Sequence, residues 1–180
     1  MKVDKEIWRE RMGNLMARRK GGKPDNAHSP KAVSNYKRCF EICRLGNSVL
    51  DVGCGDRNVK EFCPGEYLGI DAYPADDSVI KAEIETFDTE KRFDSIIVFQ
   101  VLDGLYDLKK AIDNMKLLCT GNIIIQTGFD ILADQYHTFE ITEKLLNDLM
   151  EDGDWFIQTY REELSPKVFL VEYKRKCATT

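Results

Sequence analysis

The stretch Ser48-Val49-Leu50-Asp51-Val52-Gly53-Cys54-Gly55-Asp56 decides the fold. An apolar, β-favouring run ends at an acid and drops into a glycine-rich turn. The pattern predicts a buried strand, a tight loop and then helical backbone, which Pro64-Gly65 cuts to a short turn over 58–62. Gly53 and Gly55 permit a sharp turn and leave room for a ligand against the main chain. Asp51, at the strand's C-terminal end, is expected to accept hydrogen bonds from the loop's own N–H groups. Tyr67-Leu68-Gly69-Ile70-Asp71 then reads as a second strand ending in an acid. An acid about 20 residues past such a loop is placed to grip a pair of ribose hydroxyls.

The two stretches together imply a nucleoside cofactor on a Rossmann-like sheet. A dinucleotide fingerprint, G-x-G-x-x-G, needs a third glycine where this chain has Asn58. A pyrophosphate is also poorly served by Asp51 and Asp56. Both points weigh against an oxidoreductase using a nicotinamide dinucleotide. Asp-Val-Gly-Cys-Gly instead resembles motif I of the class I S-adenosylmethionine-dependent methyltransferases, D-x-G-x-G-x-G. Their ligand is a sulfonium cation with no phosphate, so acids near the loop are tolerable. Arg57 stands where the motif's last glycine falls.

Outward from this centre, strands and helices alternate. Phe93 to Phe99 is a near-continuous apolar run, as for a strand buried on both faces. Ser78 to Ala82 reads as a short strand, Leu108 to Leu118 as an amphipathic helix stopped by Cys119-Thr120-Gly121, and Asn122 to Thr127 as the fifth strand. Ile141 to Met150 reads as a helix, and Trp155 to Tyr160 with Val168 to Tyr173 as a closing strand pair. This pattern predicts a three-layer α/β/α sandwich. "Arg92-Phe93-Asp94-Ser95-Ile96-Ile97" and "Leu118-Cys119-Thr120-Gly121-Asn122-Ile123-Ile124" resemble the segments that open the fourth and fifth strands of small type-11-like methyltransferases. The resemblance implies a seven-stranded, mostly parallel sheet of order 3-2-1-4-5-7-6 with the last strand antiparallel. Residues 1–180 are expected to form one domain: a helical cap or lid over 1–45 and a Rossmann-like core over 46–180. In the cap, Ile7, Trp8, Met12, Leu15 and Met16 recur at helical spacing. A glycine hinge at Gly21-Gly22 follows, and a second helix begins at Ser29-Pro30.

The resemblance also implies site residues. Gly53, Cys54, Gly55 and Asp56 would cradle the methionine and ribose part of the cofactor, and Asp51 counts among the cofactor-binding residues. Asp71 would take the ribose hydroxyls, with Ala72 and Tyr73 beside the adenine. Glu83 matches the acid that approaches the adenine amino group, and Ile84 is its apolar neighbour. Gln100 would touch the methionine end. Methyl transfer asks the protein to place a nucleophile and, for a hydroxyl or amine, to take a proton. His137 is the preferred base, with Tyr106 and Asp103 as lesser candidates; His28 reads as a loop histidine.

Composition bounds the partners. The chain has 180 residues, 43% hydrophobic and 32% charged, enough for one cored domain. It has no apolar run of about 18 residues and no secretory pattern, so a cytoplasmic protein off the membrane is expected. Six scattered cysteines suit reduced thiols, and no metal site is expected. Residues 1–44 hold 12 Lys/Arg against 5 Asp/Glu, and the remainder 14 against 26. The acidic core disfavours a phosphate backbone, although the basic N-terminus leaves room for RNA. The place after strand four reads Gln100-Val101-Leu102-Asp103, without the [D/N]-P-P signature of amino-methylating DNA enzymes. Cys63-Pro64 is the reverse of the cytosine-C5 nucleophile. A small metabolite or glycan precursor is therefore the expected acceptor. An RNA methyltransferase and a non-catalytic sensor or partner subunit stay as alternatives, and the oligomeric state is open.

Overall fold

The computed structural model describes residues 2–20, 30–74, 77–134, 137–165 and 167–176. The chain runs α1 (Lys5–Lys20), α2 (Pro30–Ile42), β1 (Ser48–Val52), β2 (Glu66–Asp71), β3 (Ile80–Lys81), β4 (Phe93–Phe99), α3 (Leu108–Leu118), β5 (Cys119–Thr127), α4 (Glu143–Met150), β6 (Trp155–Ser165) and β7 (Val168–Arg175). The strands form one sheet of order β3-β2-β1-β4-β5-β7-β6. Its first five strands pair in parallel, and β7 runs antiparallel to both its neighbours. The expected order and the expected antiparallel strand are both present.

Period-two alternation builds the layers. Leu50, Val52, Ile96, Val98, Ile123 and Ile125 point to one face of the sheet, where α3 and α4 cover them. Val49, Ile97 and Ile124 point to the other, under Tyr36 and Cys39 of α2 and Cys43 just past its end. Strands buried on both faces must be apolar at every position, which is why β4 and β5 read as unbroken runs. Each such buried side chain contributes roughly 1.5–3 kcal/mol. Asp107 caps α3 by accepting from the Lys110 N–H, and Thr142 caps α4 by accepting from Leu145. At the start of α1, the Asp4 carboxylate accepts from the N–H groups of Glu6 and Ile7.

Two boundaries differ from the sequence expectation. After β1 the expected short turn over 58–62 is a 3-10 turn, Lys60–Phe62, which starts two residues later and ends where expected. β5 begins at Cys119, before the predicted strand start. Cys119 already pairs with Phe93 across an irregular register, and the Thr120 hydroxyl donates to the Phe93 carbonyl. Helix α3 therefore passes directly into strand without the predicted turn. Helix α1 packs on neither face. Trp8 and Met12 join Tyr106, Ala72 and Tyr73 in a separate cluster formed by residues that follow β2 and β4. The predicted hinge at Gly21-Gly22, together with Lys23, His28, Ser29 and Cys177, lies outside the described residues.

Candidate active site

The loops that follow β1, β2 and β4 border a cavity of about 1480 Å³. Gly53 has a φ of 69°, and a Cβ there would fall 2.4 Å from a methyl of Val101, so the position requires glycine. Gly55 has a φ of 48°, and a Cβ there would meet nothing within 4 Å. Its bare backbone borders open space. Arg57 takes a φ of 60°. The loop thus keeps the left-handed step at the motif's last glycine position, at a cost of roughly 1–2 kcal/mol for a residue with a Cβ.

Asp51 does not hold the loop in the way its position suggested. It is 3% exposed and accepts a hydrogen bond from the Tyr67 hydroxyl at 2.6 Å. Strand register sets Asp51 beside Gly69, and the Tyr67 hydroxyl and Cys54 thiol occupy the space that Gly69 leaves empty. Asp71 holds the loop instead. Its Oδ2 accepts from the Gly55 N–H at 3.0 Å and its Oδ1 from the Tyr73 N–H at 2.7 Å. Burial pushes the Asp51 carboxyl up to about 7, against the Tyr67 hydrogen bond and with help from the Asp71 charge. Burial likewise raises the Cys54 thiol to about 12, which makes it an unreactive wall of the site.

Helix α1 borders the cavity's edge. The Trp8 ring lies 5.2 Å from Tyr106 and 6.1 Å from Tyr73, centroid to centroid, and its N–H donates to the Gly104 carbonyl. The Tyr73 hydroxyl donates to the Arg9 carbonyl. Glu83 forms ion pairs with Lys5 and with Arg9, the latter at 3.2 Å. Burial alone would raise the Glu83 carboxyl, but Lys5 and Arg9 outweigh it and hold the group below its ordinary value. Six carboxylates border the cavity (Asp51, Asp56, Asp71, Glu83, Glu85 and Asp103) against two lysines, Lys31 and Lys81. Such a wall favours a cation and repels a phosphate.

Toward β5 the lining changes. The His137 Nδ1 lies 3.0 Å from Asp134 Oδ1, and Nε2 lies 3.6 Å from Asp103 Oδ2. The Asp103 carbonyl accepts from the N–H groups of Thr138 and Phe139, which seats the histidine loop beside it. Burial lifts the Asp103 carboxyl above its ordinary range, against the pull of His137. Tyr36 of α2 stacks on Phe99 of β4 at 5.7 Å and 12°. Gln126, at the end of β5, and Val168 complete this side. Gln100 adopts a φ of 58° and donates its N–H to the Gln126 carbonyl at 2.8 Å.

Residues 26–164 match the family described as a methyltransferase domain. The chain belongs to that family. The resemblance to class I S-adenosylmethionine-dependent methyltransferases, read from the motif, is borne out. No curated protein matches the methyltransferase chain in sequence. Its fold is similar to magnesium protoporphyrin IX methyltransferase from Synechocystis with bound S-adenosylhomocysteine, at 14% identity and a TM-score of 0.69, covering 96% of this chain and 100% of that one. It is also similar to the N-methyltransferase NodS of Bradyrhizobium japonicum (17%, 0.67, 90% and 97%). A third is the 1,6-didemethyltoxoflavin-N1-methyltransferase of Burkholderia thailandensis (16%, 0.68, 93% and 87%).

All nine residues assigned to the cofactor, Asp51, Gly53, Cys54, Gly55, Asp71, Ala72, Glu83, Ile84 and Gln100, border this same cavity of the methyltransferase, as do Asp103 and His137. Tyr106 does not. It is buried under Trp8, and its hydroxyl accepts from the Lys5 ammonium, so it serves the seat of α1. Sequence reasoning missed Tyr36, Phe99 and Gln126. Gln126 carried a usable signal: a polar residue at the C-terminal end of an apolar parallel strand, where ligands sit in such sheets. Among the described residues no group of three or more metal-type ligands occurs, and no helix is long and apolar enough to cross a membrane.

Proposed function

We propose that the chain binds S-adenosylmethionine over Gly53–Gly55 and moves its methyl group to a hydroxyl or amine of a small molecule, such as a metabolite or glycan precursor, in the cytoplasm. The open backbone at Gly55 carries this reading, set between Asp71 and an acid-lined cavity. The residues fit the cofactor. Asp71 has lone pairs left for two ribose hydroxyls beyond the two N–H groups it already accepts. Ala72 and Ile84 offer apolar contact to the adenine, Glu83 an acceptor for its amino group, and Gln100 a contact at the methionine end. The cavity, at about 1480 Å³, exceeds the roughly 300–1,000 Å³ of a single-ligand pocket and leaves room for an acceptor. Residues 1–45 act as a cap and 46–180 as the core.

Bound S-adenosylmethionine supplies a methyl group on a positively charged sulfur, already activated for displacement. The chain must then place the acceptor, exclude water and take a proton. Asp134 accepts from His137 Nδ1–H, which fixes the tautomer and leaves the Nε2 lone pair free for the acceptor's proton. Asp103, at 3.6 Å, stabilises the imidazolium that results. The ion pairs of Lys5 and Arg9 with Glu83 spend part of the N-terminal basic charge inside the molecule, which favours a small acceptor over RNA. Calorimetric titration with S-adenosylmethionine, S-adenosylhomocysteine and NAD tests the cofactor. Binding of NAD alone overturns the reading. Turnover to S-adenosylhomocysteine separates an enzyme from a sensor, and a steep salt dependence of acceptor affinity would indicate RNA.

A further inference from the structure

Asp103 sits in the 3-10 turn Leu102–Gly104 that follows β4. The core holds one end of this turn through the buried Leu102. At the other end the Gly104 peptide is bonded on both sides. Its N–H donates to the Val101 carbonyl at 2.9 Å, and its carbonyl accepts from the indole N–H of Trp8. Trp8 is 4% exposed. A buried indole N–H can only donate and has to find an acceptor; here the acceptor is the peptide next to Asp103. From Asp103 the chain of bonds runs on. Its carbonyl accepts from Thr138 at 2.6 Å and from Phe139 at 3.1 Å, the two residues after His137. Helix α1 thus reaches the histidine loop through two consecutive residues of the turn. Burial raises the Asp103 carboxyl, and His137 with the N–H groups of Asp103 and Gly104 pulls it back. The N-terminal segment also bonds the Tyr106 carbonyl through the Val3 N–H at 2.8 Å and the Tyr106 hydroxyl through Lys5 at 3.3 Å, but these contacts end past the turn. The 3.6 Å between His137 Nε2 and Asp103 Oδ2 lies just outside a hydrogen bond. A small displacement of the turn therefore decides whether the two groups act together.

We propose that Trp8 is a positioning residue for the Asp103–His137 pair: its indole N–H fixes the Gly104 peptide and, through it, the separation of carboxylate and imidazole. The inference rests on the methyltransferase reading above, with His137 as the base and Asp103 as the stabiliser of its imidazolium. A proton taken at Nε2 places a positive charge 3.6 Å from the Asp103 carboxylate, and the attraction between the two falls as they separate. The remaining contacts of α1, Lys5 and Arg9 on Glu83 and the Arg9 carbonyl on Tyr73, lie on the side proposed for the adenine. One helix is thus bonded to both sides of the cavity, and Trp8 is its bond to the side of the base.

The test removes the N–H and keeps the ring. Trp8 is replaced by β-benzothienylalanine in the full chain, through stop-codon suppression, and Trp8→Phe is the second variant. Hydrogen exchange followed by NMR reads the Thr138 and Phe139 amides, which should exchange roughly two- to tenfold faster in both variants. The Gly55 and Tyr73 amides, held by Asp71, should keep their protection. Tyr106→Phe removes the Lys5 contact and spares the indole bond, so its Thr138 and Phe139 amides should exchange as in the natural chain. Ring-nitrogen spectra are taken in chains that carry His28→Gln, so that one histidine of the two remains. Loss of the indole N–H should move the His137 Nε2 signal further than the Nδ1 signal, which Asp134 holds. Unchanged amides or unchanged ring signals in the benzothienylalanine chain overturn the inference. Faster exchange that spreads equally to Gly55 and Tyr73, or that Tyr106→Phe reproduces, also overturns it, because either marks a general undocking of α1. Titration with S-adenosylhomocysteine keeps the two readings apart. A natural chain that binds it while the replacement moves nothing loses only the role of Trp8. A natural chain that fails to bind it loses the methyltransferase reading, and the inference with it.

Discussion

Asp71→Ala tests the centre of the site. The carboxylate accepts from the Gly55 N–H at 3.0 Å and the Tyr73 N–H at 2.7 Å, and its remaining lone pairs are the ones assigned to the ribose. Each hydrogen bond to a charged group is worth about 1.5–3 kcal/mol. Loss of two such contacts removes about 3–6 kcal/mol before water recovers part of it. A further loss is expected because the Gly55 loop gives up its anchor. A net change above about 1.4 kcal/mol weakens binding more than tenfold. Asp71→Asn keeps one acceptor oxygen but turns an amide N–H toward one of the two backbone donors, so its affinity should fall between the natural chain and Asp71→Ala. The assay is calorimetric titration with S-adenosylhomocysteine at fixed salt, with circular dichroism and a thermal melt on each variant. Unchanged affinity in a folded Asp71→Ala chain would refute the assignment of the ribose to this residue.

Burial raises the Asp51 carboxyl from 3.8 to about 7, so the folded chain holds this proton more tightly than the unfolded one and stability falls as pH rises through that window. Asp51→Asn cannot ionise; its stability advantage should be near zero at about pH 4 and grow by about 1.4 kcal/mol per pH unit toward about pH 7, and a pH-independent difference in denaturant midpoints rejects the cause given. Saturating S-adenosylhomocysteine should change tryptophan emission through Trp8, which borders the cavity, while Trp155 is buried with α4; a signal that survives in Trp8→Phe contradicts the place given to α1. His137→Ala should slow methyl transfer by about 10²–10⁴ with cofactor affinity kept; transfer at full rate removes the base role and leaves the methyltransferase fold untouched.

The sheet was legible because its physics is local. Strands buried on both faces leave unbroken apolar runs, such as Phe93–Phe99, and parallel pairing forces all the ligand loops to one edge. The loop after β1 was legible for the same reason, since Gly53 needs φ > 0 and space, and both are properties of one residue. Asp51 was misread because its partner is set by register. Only the pairing of Asp51 with Gly69 shows that Tyr67 reaches it first. Tyr106 was misread because its neighbour, Trp8, lies at the far end of the chain. On the side of the cavity toward β5, the sequence pointed to His137 and Asp103 but not to their neighbours. Tyr36, Phe99, Gln126, His137 and Val168 come from five different segments, and no spacing rule connects them.

The contact of α1 with Glu83 joins the legible half of the site to the illegible half of the chain. The family resemblance gives Glu83 a role at the adenine, and nothing in that motif refers to residues near the N-terminus. Yet Lys5 and Arg9 hold this carboxyl below its ordinary value against the burial that would neutralise it. An ionised carboxylate accepts hydrogen bonds at both oxygens and donates none, which suits the amino group proposed for it. The same two cations leave lone pairs on Glu83 unused, since two oxygens offer about four acceptor positions. Docking of α1 and the adenine contact proposed for Glu83 are therefore compatible at one side chain. The basic residues of α1 nearest the cavity thus have an intramolecular use, and their charge needs no polyanionic partner to explain it.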